Sequence, residues 1–273
     1  MTPDLFVCIR CHEDPTLVLD TYDAAMEYTD RKQTLVFCSV DGNQALAERL
    51  MACNVPTYCS KQRHGWGAGL FELLMKTVHW ATDRFGSAHF LSIDYDTLFL
   101  NPGVDDYYLD AVDDIDIGIA GKYIGQNKHW EKTFYREKAR IEQRFGPVPT
   151  TYLPGEGVQG GGFMMTVSMI EALRGSGFMR SPNRDIRTYT TMADDHFAAL
   201  ICRYLNLDIV DVGPKVHCSW KAYRDPRGVE KKGAIVFHPI KIVNAYGPYS
   251  RSTDIEMRNY FRTLRGKEPL SDV

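Results

Sequence analysis

The sequence predicts an α/β protein with a mainly parallel sheet flanked by helices. Short apolar runs of strand length alternate with amphipathic helical segments, and no apolar run approaches the roughly 18 residues of a membrane span. Such alternation favours a parallel sheet, because the helix connecting two parallel strands packs on the sheet. With 273 residues, the chain is long enough to bury a substantial core.

The first hundred residues show the alternation clearly. Strands are predicted at residues 5–9, 34–40, 55–58 and 89–94, and helices at residues 15–26, 45–51 and 68–85. Pro15 suits the first turn of a helix, and Gly86 suits the position after the last turn. Arg10, Asp41 and Asp94 all follow predicted strands, so we expect them to share a cleft at the carboxyl ends of the sheet.

The segment from residue 89 to 100 carries the strongest chemical signal. An apolar strand delivers Asp94 and Asp96, one residue apart, and a second apolar run follows. Residues i and i+2 of a strand point to the same side, so the two carboxylates can converge on one ligand. Two hard oxygen donors suit Mg²⁺ or Mn²⁺, which in turn suit a phosphate. A strand end followed by an Asx turn is the alternative.

The second half is less regular. Strands are predicted at residues 116–120, 158–165, 207–212 and 234–239, helices at residues 131–145 and 197–205, loops at residues 151–157 and 175–191, and a loop followed by a short basic helix at residues 246–265. Gly160, Gly161 and Gly162 lack Cβ atoms, which lets a ligand or another backbone approach closely. A flexible turn is the alternative for the glycines.

Two further groups in this half are candidates for chemistry. Asp194, Asp195 and His196 precede the helix at residues 197–205, and two carboxylates with a histidine exceed what capping requires. His238 ends an apolar strand, and a single histidine of this kind is more often structural than a ligand.

The net charge of −3 hides a division between the halves. Residues 1–121 hold 19 acidic and 8 basic residues, whereas residues 122–273 hold 16 acidic and 24 basic residues. The basic excess predicts an anionic partner for the second half, with solvated helix faces as the alternative. Aromatic residues suited to stacking lie among the basic ones: Trp130, Phe134, Tyr135, Trp220 and Tyr223.

Seven scattered cysteines and an N-terminus without a basic leader predict a protein with reduced thiols in the cytoplasm.

Together, four motifs in this order resemble those of the GT-A glycosyltransferases. That family has a D-x-D after a hydrophobic strand, a glycine-rich loop, an x-E-D at a helix start and a C-terminal histidine. The resemblance covers residues 5 to about 240, and it departs at Asp194, where the family usually has Glu. The matching positions are Asp94-Tyr95-Asp96, Gly160-Gly161-Gly162, Ala193-Asp194-Asp195 and His238.

The resemblance implies a GT-A fold, a nucleotide-sugar donor, commonly a UDP-sugar, and a divalent metal, Mn²⁺ or Mg²⁺. Asp94, Asp96 and His238 would hold the metal, and Asp195, with Asp194 as the other candidate, would deprotonate the acceptor hydroxyl, which implies inversion at the anomeric carbon. The glycines would form the floor under the sugars. Candidates for contacts with the donor nucleotide are Arg10, Asp41, Arg63, Trp66 and Tyr95.

The resemblance also divides the chain into a nucleotide-sugar-binding half, residues 1–121, and an acceptor-binding and catalytic half, residues 122–273. The basic second half predicts an anionic acceptor, either a phosphorylated or lipid-linked glycan or a hydroxylated base in DNA.

Two other classes of protein remain open. The Asp94-Tyr95-Asp96-Thr97 segment also resembles the first motif of haloacid-dehalogenase-type phosphatases, with Asp94 as the nucleophile. Against that class, about 90 residues precede the motif here, whereas it usually lies on the first strand of its domain. The third possibility is a non-catalytic module that binds carbohydrate or nucleic acid.

Overall fold

The computed structural model describes residues 2–30, 32–113, 116–176, 186–218, 226–240 and 251–270. Its strands are β1 (Leu5–Cys11), β2 (Thr34–Val40), β3 (Thr57–Cys59), β4 (His89–Asp94), β5 (Leu98–Phe99), β6 (Ile117–Tyr123), β7 (Val158–Met165), β8 (Asp208–Asp211), β9 (Val216–Cys218) and β10 (Val236–His238). Its α-helices are α1 (Pro15–Tyr28), α2 (Gln44–Ala52), α3 (Ala68–Phe85), α4 (Val104–Asp110), α5 (Lys128–Phe145), α6 (Val167–Gly175), α7 (Asp194–Tyr204), α8 (Pro226–Glu230) and α9 (Arg251–Leu264).

A seven-stranded sheet in the order β3-β2-β1-β4-β7-β6-β8 forms the centre of the molecule. All its neighbouring strands are parallel except β7, which is antiparallel to both β4 and β6. The sheet buries both faces, with apolar side chains of the helices packed on each. The predicted α/β class with a mainly parallel sheet is therefore confirmed.

A second sheet of three strands, in the order β5-β10-β9, was not predicted. Strand β5 directly follows the D-x-D, and β10 pairs with it antiparallel. The predicted strand at residues 234–239 contains β10, whereas β5 and β9, of two and three residues, carry too little periodicity to be recognised in a sequence. This small sheet places His238 beside the carboxyl end of β4.

Several predicted boundaries are wrong by a few residues. Helix α5 begins at Lys128 rather than at residue 131, because the Asn127 side chain accepts a hydrogen bond from the His129 N–H and caps it. Helix α7 begins at Asp194 rather than at residue 197, so the two aspartates form its first turn. Residues 177–185, in the predicted loop at 175–191, lie outside the described residues, as do residues 246–250 of the predicted C-terminal loop.

Among the described residues, no helix combines the length and the apolar character needed to cross a bilayer. A cytoplasmic location stays a prediction of the sequence.

Candidate active site

A cleft of about 590 Å³ opens at the carboxyl ends of the central strands. The expectation that Arg10, Asp41 and Asp94 share one cleft holds in the structure. Of the predicted site residues, the following line it: Arg10, Asp41, Arg63, Trp66, Asp94, Tyr95, Asp96, Gly160, Asp194, Asp195 and His238. Gly161 and Gly162 are not among the lining residues.

Asp94, Asp96 and His238 form a cluster whose potential metal-binding atoms all lie within 4.8 Å of one another. The His238 Nε2 lies 3.3 Å from both Asp94 Oδ2 and Asp96 Oδ1. Burial lowers the pKa of His238, but Asp96 and Asp94 outweigh it and hold that pKa well above its usual range. Two carboxylate oxygens and one imidazole nitrogen are a donor set that fits Mn²⁺ or Mg²⁺.

The two aspartates converge through a turn and not through a strand. Strand β4 ends at Asp94, and the Thr97 N–H donates to the Asp94 carbonyl at 3.0 Å. The predicted same-side arrangement of residues i and i+2 along one strand is therefore wrong for this pair. The Ile240 N–H donates to the Asp96 carbonyl at 3.0 Å, so the end of β10 also holds the turn in place.

Arg10, at the end of β1, connects the metal-binding cluster to the acidic pair. Its Nη2 lies 2.9 Å from Asp94 Oδ1, and its Nη1 forms an ion pair with Asp194 Oδ2. The side chains of Arg10 and Asp194 are 4% and 7% exposed, so their ion pair is shielded from water, whereas the Asp94 side chain is 29% exposed. The two carboxylates fix the guanidinium, although its buried Nε has no hydrogen-bond partner among the described residues. Arg10 is therefore a structural element of the cleft wall.

The two aspartates at the start of α7 have different environments. The carboxylate of Asp194 is buried and paired with Arg10. The carboxylate of Asp195 borders the cleft and accepts hydrogen bonds from the backbone N–H groups of Gly160 (2.9 Å) and His196 (2.8 Å). Burial, and then the neighbouring Asp194, raise the pKa of Asp195 to about 7. Both aspartates line the cleft, but Asp194 is paired with Arg10, so Asp195 is the candidate base.

His196 closes the wall behind Asp195. Burial lowers the pKa of His196 to about 4, and its Nδ1 lies 3.0 Å from the carbonyl oxygen of Glu156. A neutral imidazole in that position donates from Nδ1 to the carbonyl. His196 therefore supports the site as an uncharged, fixed ring.

Asp41 organises the loop that precedes α3. Its carboxylate accepts hydrogen bonds from the backbone N–H groups of His64 (2.7 Å) and Gly65 (3.0 Å). These bonds fix the segment that carries Arg63 and Trp66 to the cleft. Asp41 thus acts on the shape of this wall, and its predicted contact with a nucleotide stays a prediction.

Gly160, Gly161 and Gly162 belong to strand β7, and side chains that face them lie close to the position of a Cβ atom. Gly161 has a φ of +76°, and a Cβ there would lie 2.3 Å from the His238 ring. A Cβ at Gly162 would lie 2.7 Å from the Cys218 Sγ, and one at Gly160 would lie 3.1 Å from the Asp195 carboxylate. Glycine is therefore required at 161 and 162 by close approach, as predicted, although the approaching groups are side chains.

Aromatic rings lie at the mouth of the cleft. The Trp66 side chain is 73% exposed, and its ring centroid lies 5.9 Å from that of Trp130, on α5. The Trp130 ring lies in turn 5.4 Å from the His196 ring. Of the other predicted stacking residues, Phe134 is buried in the core, and Trp220 and Tyr223 lie outside the described residues.

The lining residues that the sequence analysis missed include three polar ones, His12, Asn127 and Gln159. Gln159 directly precedes the glycines, and Asn127 caps α5, so both had a local signal.

No model of a known protein family matches the chain, and no curated protein sequence does. The structure is similar to that of the bifunctional glycosyltransferase WbbM, with a TM-score of 0.52 and 10% identity over 98% of this chain and 52% of that one. The fold is that of the GT-A glycosyltransferases.

Two further structures are similar to this one at TM-scores below 0.5. The mannosyltransferase PcManGT from Pyrobaculum calidifontis, in complex with GDP-Man and Mn²⁺, has a TM-score of 0.46 at 12% identity, over 77% of this chain and 55% of that one. The galactosyltransferase LgtC, in complex with donor and acceptor sugar analogs, has a TM-score of 0.47 at 11% identity, over 98% of both chains. The chain spans about half the length of PcManGT and WbbM. At such identities a match establishes the fold, which can host different reactions.

Proposed function

We propose that this protein is a metal-dependent glycosyltransferase that moves a sugar from a nucleotide-sugar donor, a UDP-sugar, to an acceptor hydroxyl. The observation that carries the proposal is the convergence of Asp94, Asp96 and His238 in the same cleft as Asp195. A metal-binding cluster and a carboxylate base are the two groups that this transfer requires from a protein.

Asp94, Asp96 and His238 would hold Mn²⁺ or Mg²⁺. When bound there, the cation supplies positive charge that neutralises the diphosphate of the leaving nucleotide. Residues 1–121 contribute Arg10 and Asp41 to the walls of the cleft, which supports their assignment as the donor half. Residues 122–273 contribute Asp195, which supports their assignment as the acceptor and catalytic half.

Asp195 is proposed as the general base. The acceptor oxygen forms a bond to the anomeric carbon, the bond from that carbon to the donor phosphate breaks with its electrons going to the diphosphate, and the hydroxyl proton passes to the Asp195 carboxylate. Backbone N–H groups on both carboxylate oxygens fix its orientation. A pKa of about 7 suits a base that works at neutral pH.

Such a single displacement inverts the anomeric configuration. If the Asp195 carboxylate instead attacked the anomeric carbon, two displacements would retain it. Both roles need the ionised carboxylate, so the pKa of about 7 does not separate them. Proton NMR of the first product formed, read through the coupling constant of its anomeric proton, separates the two outcomes.

An anionic acceptor, either a phosphorylated or lipid-linked glycan or a hydroxylated base in DNA, is part of the proposal. Exposed basic residues support it: Arg63 lines the cleft, and Lys128 and Lys132 follow the cleft residue Asn127 on α5. The C-terminal arginines do not contribute, since Arg258, Arg262 and Arg265 are paired with Asp20. The basic excess of the second half is thus smaller at its surface than the sequence suggests.

The test is release of nucleoside diphosphate from a panel of UDP- and GDP-sugars, with Mn²⁺, with chelator, and with glycolipid and hydroxymethylated DNA acceptors. We expect release that needs the metal, is abolished in Asp96→Asn, and persists in the control Asp211→Asn, which changes a surface aspartate paired with Lys122. No release with any donor and acceptor would contradict the proposal. Hydrolysis of small phosphate esters in its place would favour the phosphatase with Asp94 as nucleophile.

A further inference from the structure

The C-terminal helix α9 packs a fully buried arginine, Arg258, against helix α1. The Arg258 side chain is 0% exposed. Its Nε donates to Asp254 Oδ1 at 2.7 Å, and its Nη1 donates to Asp20 Oδ2 and to Thr21 Oγ1, each at 2.9 Å. A buried guanidinium is tolerated only with partners of this kind, because an isolated buried charge is costly.

The Nη2 atom of Arg258 reaches the metal-binding turn, residues 94–97. Its Nη2 donates to the backbone carbonyl of Tyr95 at 2.8 Å, and Tyr95 lies between Asp94 and Asp96. The Thr21 hydroxyl, on α1, donates to the same carbonyl at 2.7 Å. On its other side the Tyr95 N–H donates to the Arg10 carbonyl at 3.0 Å. The peptide groups around Tyr95 are thus held by α1, α9 and β1.

The charges around Arg258 are balanced without the turn. Asp20 accepts from Arg258, Arg262 and Arg265, and Asp254 accepts from Arg258. Burial raises the pKa of Asp20, but Arg258 outweighs it and holds that pKa below its usual value. The bond from Arg258 to the Tyr95 carbonyl is therefore an additional contact, beyond those that neutralise the buried charges.

We propose that Arg258 is a positioning residue for the metal site. In this proposal α9, through Arg258, and α1, through Thr21, hold the Asp94-Tyr95-Asp96 turn in its metal-binding geometry. The proposal rests on the proposed function for the identity of the ligand. Partners that orient metal ligands from behind typically change metal affinity by about 10–100-fold when they are removed.

An arginine is needed at this position because of its shape. Its planar fork reaches Asp20, Asp254 and the Tyr95 carbonyl at once, in three directions. A lysine keeps the charge between Asp20 and Asp254 but presents one compact ammonium group. Arg258→Lys therefore removes the contact with the turn and preserves the charge balance.

The experiment compares Arg258→Lys and Thr21→Val with the control Arg262→Lys in the full-length protein. Arg262 also pairs with Asp20, at 2.9 Å, and none of its hydrogen bonds in the structure goes to the turn. Mn²⁺ affinity is measured by calorimetry, and hydrogen exchange of a peptide covering residues 93–98 is measured without metal. Thr21→Val leaves all the charges in place, so it serves as the second variant if Arg258→Lys does not fold.

We expect Arg258→Lys and Thr21→Val to weaken Mn²⁺ binding by about tenfold or more and to speed exchange in residues 93–98. Arg262→Lys should change neither beyond about twofold. Equal effects in all three variants, or none in either of the first two, would overturn the positioning role. If the unaltered protein binds no Mn²⁺, the metal assignment fails, and hydrogen exchange still decides whether Arg258 holds the turn.

Discussion

The buried Arg10 guanidinium lies 2.9 Å from the carboxylate of Asp94, which is 29% exposed, at the carboxyl end of the sheet. Its other Nη atom pairs with Asp194, so one cation serves a carboxylate of the metal-binding turn and a carboxylate of helix α7. This pairing distinguishes the two aspartates at the start of α7. Asp194 is paired with Arg10, whereas the Asp195 carboxylate accepts hydrogen bonds from backbone N–H groups.

The substitution Arg10→Met should destabilise the protein strongly. It leaves the buried carboxylate of Asp194 and the partly exposed carboxylate of Asp94 without their shared cation, and breaking a buried pair typically costs about 3–5 kcal/mol. Urea denaturation at pH 7 without metal measures the free energy of unfolding. The control Lys122→Met breaks the exposed pair with Asp211 and should cost about 0–1 kcal/mol. Similar losses in the two variants would contradict the structural role of Arg10.

The substitution Gly161→Ala should displace His238. The new Cβ would lie 2.3 Å from the imidazole ring, so the ring must move away from Asp94 and Asp96. Calorimetric titration with Mn²⁺ should show weaker binding by about tenfold or more, as for other changes that misorient a metal ligand. Gly266→Ala is the matched control, because Gly266 has a φ of +67° with no atom within 4 Å of its Cβ position. Unchanged Mn²⁺ affinity in Gly161→Ala would exclude His238 as a ligand.

The pH dependence of the transfer should follow Asp195. A base with a pKa of about 7 is protonated in acid, so kcat should rise with pH through about 7 and then level off. Asp195→Asn should lower kcat by about 10²–10⁴-fold and abolish this rise. The complementary variant Asp194→Asn should keep the rise but shift it to lower pH, because the charge of Asp194 raises the pKa of Asp195. A rise that survives in Asp195→Asn would assign the base elsewhere.

Stability without metal should also report on Asp195. Between pH 4 and 7 the folded protein keeps a proton on Asp195 that the unfolded chain has released, because the folded pKa is raised from 3.8 to about 7. The folded state then binds more protons, and its stability falls as pH rises through this window. Asp195→Asn removes this effect, so its stability relative to the unaltered protein should be more favourable at pH 8 than at pH 4.5. Urea denaturation at both pH values measures the difference, and an equal difference at both would contradict the raised pKa.

Trp66→Ala should impair acceptor binding with little effect on folding. The ring is 73% exposed, so its removal should change stability by no more than about 0.5 kcal/mol. Its neighbour Trp130 contacts His196, next to the proposed base, which favours a contact with the acceptor over the predicted contact with the nucleotide. Steady-state kinetics should show a higher KM for the acceptor at an unchanged KM for the donor. A higher KM for the donor at an unchanged KM for the acceptor would instead favour a contact between Trp66 and the nucleotide.

Much of the donor half could be predicted because its signals are local. Strands β1, β2 and β4 are uninterrupted apolar runs, and α3 carries a clear helical period, so burial alone fixes their type and order. Asp94 is the last residue of such a strand, and Asp96 lies two residues after it. Their place at the edge of the sheet was therefore predictable from the chain itself.

The sequence by itself determined the α/β class, the cleft at the strand ends and the candidate metal ligands, since these depend on period and residue type. The tertiary structure decided how the candidate metal ligands come together and which of Asp194 and Asp195 is the candidate general base. His238 lies beside Asp96 because the short strands β5, β9 and β10 pair with one another. The environments of Asp194 and Asp195 differ because Arg10, on another strand, pairs with Asp194. Contacts between residues distant in the chain depend on packing, and no local pattern encodes them.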